Sequence, residues 1–238
     1  HDIKRKIAIF CNVEIDAVIE SLDVSTIYEV PILMQKEGLD KVVLRKLKMT
    51  NKNKIDLKDW NRFLNILKNP AKETSIAVVG KYVELPDAYK SISESILHAG
   101  TLQDCKVEVK WIHAEEINKD NVSEKLTGLK GVLVAPGFGD RGVEGKISAI
   151  KFLRENNVPF FGICLGMQSA VIEYSRNVLG LKDANSTEMN PETSGPVINL
   201  MEEQKEITEK GGTMRLGAYD CKLSEDSNAY KSYKKNNI

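Results

Sequence analysis

The run Gly162-Ile163-Cys164-Leu165-Gly166-Met167-Gln168 sets one cysteine between small residues, where an apolar stretch, Val158-Pro159-Phe160-Phe161, gives way to a helix-like one. A side chain on such a strand-to-helix turn stands free, while the amides that follow and the helix start face it. That placement aims a thiol and favours its thiolate. The pattern reads as a nucleophile elbow, although a buried structural cysteine at a strand end would fit the same residues. A cysteine that forms an acyl-enzyme needs an oxyanion hole, a base and an orienter for that base. The amide of Leu165 is one candidate donor. The amide of Gly137, in Ala135-Pro136-Gly137-Phe138-Gly139, is the other, though this glycine loop alone reads equally as a plain turn. The chain's three histidines, His1, His98 and His113, all precede the cysteine, and each reads as a surface or helix-packing residue.

The elements that must carry these residues alternate from Ser75 onward. Strand Ile76–Val79, a helix over about Asp87–Ala99, strand Val107–Ile112, a helix near Val122–Leu126 and strand Val132–Val134 come first. A helix over about Glu144–Asn156, the elbow strand and a helix after Cys164 follow. Such alternation implies right-handed crossovers and an α/β fold, a parallel doubly wound sheet with covering helices. Its ligands bind at the carboxyl ends of the strands, where both Gly137 and Cys164 fall. Ahead of this, Lys6–Cys11 reads as a buried strand, Glu14–Leu22 as a helix and Leu39–Leu47 as a second helix. They are too few elements for a core of their own. Asn51–Lys54 reads as a linker, and Leu57, Trp60, Phe63, Leu64 and Leu67 keep the spacing of an amphipathic helix that ends before Pro70. After Asn185 the pattern turns irregular. Asn190-Pro191 and Gly195-Pro196 read as turns, Met214–Cys221 as a short strand, and Tyr230–Ile238 as a cut end.

At 238 residues, 42% of them hydrophobic, the chain can hold one domain plus a piece of another. Lys+Arg and Asp+Glu both number 34, so no basic excess points to nucleic acid or an anionic membrane. Cys11, Cys105, Cys164 and Cys221 lie far apart with no CxxC, which fits reduced thiols in a cytoplasmic protein and argues against a metal site. No apolar run approaches about 18 residues, and the charged start is no signal peptide.

The elbow Gly162–Gln168, Pro136–Gly142, Tyr82–Ser91, Asn185–Glu188 and Gly211–Gly217 together resemble the CTP synthase family, as do Lys6–Val13 and Ser21–Pro31. The elbow alone would suit any class I glutamine amidotransferase, whereas Glu84-Leu85-Pro86-Asp87-Ala88-Tyr89 would not. The resemblance implies a ligase of pyrimidine biosynthesis. One domain of such an enzyme uses ATP with Mg²⁺ to phosphorylate and aminate UTP, and a glutaminase domain supplies the ammonia. Residues 1–50 would be the end of the amido-ligase domain, itself α/β, 51–73 a linker and 74–238 a truncated amidotransferase domain. Cys164 would be the nucleophile, with Gly137 and Leu165 lining the oxyanion hole. Gly166, Met167, Gln168 and Glu188 would hold glutamine with them, the Glu188 carboxylate facing the α-ammonium. Lys6 would contact the UTP or CTP triphosphate, and Leu22, Asp23 and Val24 the ATP nucleoside. Lys90 and Arg141 would serve GTP, the family's activator. Family members form homodimers that pair into homotetramers.

The family's later arginine, histidine and glutamate, and its upstream phosphate loop and Mg²⁺ carboxylates, have no match in this sequence. The expectation is an inactive piece of an active parent that binds no cofactor alone. Pro136 stands where the family commonly has glycine; lacking an N–H, it leaves oxyanion donation to Gly137. A glutaminase component of another synthase and a non-catalytic regulatory module remain as alternatives.

Overall fold

The computed structural model describes residues 2–50, 55–201, 218 and 220–238. His1, the Asn51–Lys54 linker, the Gly211–Gly217 motif and most of the Met214–Cys221 strand lie outside them. The chain divides into two compact units, His1–Ala170 and Val171–Ile238.

The first unit is built on four parallel strands: β1 (Lys72–Gly80), β2 (Cys105–His113), β3 (Val132–Val134) and β4 (Phe160–Gly162). They lie in the order β2-β1-β3-β4. Side chains alternate across a strand, and β1 shows why helices must cover both faces. Ala77 and Val79 join Ile112, Val132 and Val134 in a core closed by Leu126 of α6 (Val122–Leu126) and by Ala149, Ile150 and Leu153 of α7 (Val143–Glu155). Val78 points the other way, to Tyr89 and to Ile92 and Ile96 of α5 (Lys90–Leu102). The order in which strands are added reverses between β1 and β3, with β2 on one side and β4 on the other, so the crevice beyond their carboxyl ends is the switch point where ligands of such sheets bind. Helix α8 (Leu165–Asn177) follows β4.

The front of the chain corrects two expectations. Residues Asp2–Cys11 form helix α1, where a strand was expected. Among the described residues no strand lies beside this segment. A helix satisfies its backbone groups internally, and an unpaired strand would not. Glu14–Leu22 was expected to be helical and holds only the 3₁₀ turn Ile15–Ala17. Its acids are drawn instead to the last turn of α3 (Leu39–Lys46): Arg45 meets Asp16 at 2.7 Å and Glu14 at 2.8 Å, and Lys46 meets Glu14 at 2.9 Å. Helix α2 (Val30–Lys36) precedes α3, and the amphipathic helix appears as α4 (Lys58–Lys68). The segment around Tyr28 is tied to both α4 and α5. Trp60 Nε1–H donates to the Tyr28 carbonyl at 2.8 Å, Lys68 pairs with Glu29 at 2.6 Å, and Tyr28 O–H donates to Glu94 at 2.5 Å.

In the second unit β5 (Ala184–Ser186) pairs in parallel with β6 (Gly195–Ile198), so Gly195-Pro196 lies in a strand and not in a turn. Proline lacks a ladder donor but is tolerated on an edge strand. Asn190 does open a turn, accepting the Thr193 N–H at 3.2 Å. Helix α9 (Asn228–Tyr233) is capped by Ser227, whose Oγ accepts from Tyr230 N–H at 3.1 Å.

Candidate active site

Cys164 is the second residue of the two-residue gap between β4 and α8, with φ +52°, a left-handed conformation that costs a non-glycine residue roughly 1–2 kcal/mol. The backbone around it fixes that angle. Ile163 N–H donates to the Val134 carbonyl at 3.1 Å, Gly166 N–H to Ile163 at 2.9 Å and Gln168 N–H to Cys164 at 3.0 Å. The flanking glycines are required by contact. A β-carbon on Gly162 would sit 2.7 Å from the Gly166 carbonyl, and one on Gly166 would run into the carbonyl oxygen of Val134. The turn therefore packs against β3, leaving Cys164 exposed and Leu165 buried.

The glycine loop leaves β3 at the same sheet edge, since Val134 and Gly162 are register partners. Ala135 N–H still bonds to Val79 at 2.9 Å, after which Pro136-Gly137-Phe138-Gly139 is irregular. Among the described residues, the Gly137 N–H makes no backbone hydrogen bond. A β-carbon on Gly137 would lie 3.5 Å from Leu165 Cδ2, so the loop rests against the residue that follows the cysteine.

Two lysines that the sequence reading passed over are buried under this loop. Lys146, in α7, is fully buried and donates through Nζ to the Ala135 carbonyl at 2.7 Å. Burial, then the nearby Lys81 ammonium, push its pKa down to about 8, opposed by attraction to Cys164. Lys81 follows β1 directly; its Nζ donates to the Phe138 carbonyl and, at 3.1 Å, to that of Gly139. Its own N–H is held by the Tyr89 hydroxyl at 3.0 Å. The signal for Lys146 was present: Lys146, Ala149, Ile150 and Leu153 share one helical stripe whose other members are apolar.

The other candidates are placed as follows. Gly166, Met167 and Gln168 form the first turn of α8. Glu188 belongs to the second unit, just after β5, where its N–H donates to Ser186 Oγ at 3.2 Å. His98 is engaged by Tyr28, with Nε2 lying 2.5 Å from the hydroxyl oxygen. His113 ends β2, and its Nδ1 accepts the Glu115 N–H at 3.3 Å. Three strand spacings, about 14 Å, separate the ends of β2 and β4, so His113 does not stand beside Cys164. Lys6 is exposed on α1, 3.8 Å from Asp2. Leu22, Asp23 and Val24 lie outside any helix or strand, with Leu22 and Asp23 exposed. Lys90 pairs with Glu94 at 2.7 Å, while Arg141 pairs with Glu115 at 3.0 Å and lies over the Tyr82 ring. No helix among the described residues is long and apolar enough to cross a membrane.

Comparison with known proteins bears on both parts of the chain. The CTP synthase N-terminus family matches residues 1–49 and the class-I glutamine amidotransferase family residues 84–237. CTP synthases of Cytophaga hutchinsonii and Flavobacterium johnsoniae are 62% and 61% identical over 100% and 98% of the chain. The chain spans only 44% and 43% of the length of those relatives. A solved structure described as the glutaminase domain of Trypanosoma brucei CTPS with bound acivicin superposes with a TM-score of 0.60 at 35% identity, covering 69% of this chain and 64% of that one. By the match over residues 84–237, joined to the elbow at Cys164, the chain belongs to the class-I glutamine amidotransferase family, and its whole-length relatives are CTP synthases.

Proposed function

We propose that this chain supplies the glutamine-hydrolysing part of a CTP synthase, releasing ammonia for the amination of UTP. The observation that carries the reading is Cys164 at φ +52° between β4 and α8, with the Gly137 loop on the adjacent strand end. The Cys164 thiolate attacks the carboxamide carbon of glutamine; the C–S bond forms and the carbonyl electrons move onto oxygen. The amides of Gly137 and Leu165 hold that oxyanion. Its collapse breaks the C–N bond, the nitrogen takes up a proton and leaves as ammonia, and water then cleaves the thioester to glutamate. The proton needs a base that neither His98 nor His113 provides, so the chain alone should turn glutamine over at background rate.

Gly166, Met167 and Gln168 on the first turn of α8, with Glu188, are assigned to glutamine. Lys6 is assigned to the UTP or CTP triphosphate, and Leu22, Asp23 and Val24 to ATP. Residues 1–50 then act as the end of an amido-ligase domain, 51–73 as linker and 74–238 as the amidotransferase domain of a cytoplasmic homodimer or homotetramer. Mg²⁺ would accompany ATP in that ligase. Among the described residues no group of three or more His, Cys, Asp or Glu side chains converges to hold a metal.

The test is Cys164→Ala in the full-length protein. Glutamine-dependent CTP formation should fall to background while ammonia-dependent formation persists. Cys11→Ala, Cys105→Ala and Cys221→Ala should each retain the glutamine reaction. Normal glutamine-dependent activity in Cys164→Ala, or equal loss of the ammonia reaction in a folded variant, rejects the assignment.

A further inference from the structure

We propose that Lys81 and Lys146 are positioning residues for this reaction, two pegs that hold the Ala135–Gly139 loop so that the Gly137 N–H meets the oxyanion formed at Cys164. The inference rests on reading Cys164 as the glutaminase nucleophile.

A lysine ammonium is seldom fully buried, because its desolvation is expensive. Here two of them sit under one five-residue loop, Lys146 fully buried and Lys81 nearly so. Their bonds bracket the peptide that matters. Lys146 Nζ takes the Ala135 carbonyl before Pro136-Gly137, and Lys81 Nζ takes the Phe138 and Gly139 carbonyls after it. The intervening glycine lies against both: a β-carbon there would be 3.7 Å from Lys146 Nζ and 3.7 Å from Lys81 Cδ. Proline at 136 supplies no N–H to anchor its end of the loop, so the carbonyl on its amino side is a natural handle.

The two pegs come from different elements. Lys81 leaves the end of β1 and crosses the switch point to the loop after β3, its backbone fixed by the Tyr89 hydroxyl. Gly80 makes that possible, since a β-carbon there would lie 2.5 Å from the Tyr89 oxygen. Lys146 rises from α7 beneath the loop. Among the described residues, Lys81 and Cys164 are the charged or titratable groups that act on Lys146. An ammonium near the sulfur also attracts the negative charge carried by the attacking nucleophile. Positive charge beneath the loop strengthens in the same way as the oxyanion develops.

The experiment uses Lys146→Met and Lys81→Met, which keep the length of the side chain and delete the ammonium. In the 238-residue chain with Cys11, Cys105 and Cys221 changed to Ser, alkylation of Cys164 by iodoacetamide is followed against pH. Alkylation at neutral pH should slow several-fold in Lys146→Met, which loses the ammonium near the sulfur. In the full-length protein, each variant should lower kcat for glutamine hydrolysis by roughly 10²–10³, leave KM within a few-fold and keep ammonia-dependent CTP formation. Both should melt no lower than the parent, because an apolar side chain removes the desolvation cost. An unchanged kcat and alkylation profile in both variants overturns the proposal. So does unfolding of both, which would mark the lysines as structural. If Cys164→Ala leaves glutamine hydrolysis intact, the glutaminase reading fails, whereas the alkylation profile still reports whether the lysines act on the thiol.

Discussion

Lys146 sits on the apolar stripe of α7 with its ionisation opposed by its surroundings, and this has a consequence for stability that is independent of any reaction. Its pKa falls from 10.5 in the open chain to about 8 in the fold. Between those values the unfolded chain binds the proton and the folded one does not, so stability rises with pH across this window. Below about pH 8 both states are charged and the full penalty, about 3 kcal/mol, applies. Denaturant titrations at several pH values should therefore show the parent gaining on Lys146→Met between about pH 8 and 10.5, and a constant difference would contradict the depressed pKa. The sequence displayed Cys164 and Gly137 because glycines and a strand-to-helix change in period surround them. Lys146 and Lys81 were hidden by the opposite circumstance, since lysine in a sequence reads as solvated surface unless its helical stripe is followed residue by residue.

The strands and helices from β1 to α8 were legible because β-branched runs alternate with helical spacing and are punctuated by Gly and Pro. Their limits moved where caps and pairing decide: β1 begins at Lys72 because Lys72–Gly80 pairs with Cys105–His113 along its whole length. Helix α1 was not legible as a helix. A five-residue apolar run such as Ile7–Cys11 fits a buried strand or a helix equally, and the outcome depends on what lies beside it. Close backbone approach is the other property invisible to periodicity. Helix α7 touches the turn after β2 so tightly that a β-carbon on Gly145 would overlap the Ala114 carbonyl oxygen, and α8 meets β3 in the same way at Gly166. Gly166→Ala should thus cost about 3 kcal/mol or more through overpacking against backbone, and Gly180→Ala about 1–2 kcal/mol, since there nothing lies within 4 Å and only the positive φ is strained. Equal melting temperatures for the two variants would show that α8 can shift off β3.

Across the molecule, Glu94 is a shared acceptor: Tyr28 donates to it at 2.5 Å and Lys90 at 2.7 Å, and the Lys90 bond is the first cause of its lowered pKa. The proposed effector lysine is therefore one side chain away from the segment that leads into the front helices. Lys90→Ala and Arg141→Ala in the full-length protein should each weaken activation of the glutamine reaction by GTP and spare the ammonia reaction. A GTP response unchanged in both would remove these residues from the effector site. No periodicity in the sequence announced this joint, because Tyr28 lies 66 and 70 residues before Glu94 and His98, the neighbouring pair on α5 that it meets in the fold. The left-handed angle at Cys164 also reaches the scale of the whole fold. Chemistry at this position demands a side chain, whereas the backbone there is most at ease with none, so catalysis and thermal endurance pull on one residue in opposite directions. Among equally inactive variants, Cys164→Gly should outlast Cys164→Ala by about 2 °C in Tm, which makes the melting point of the protein a gauge of a single dihedral angle.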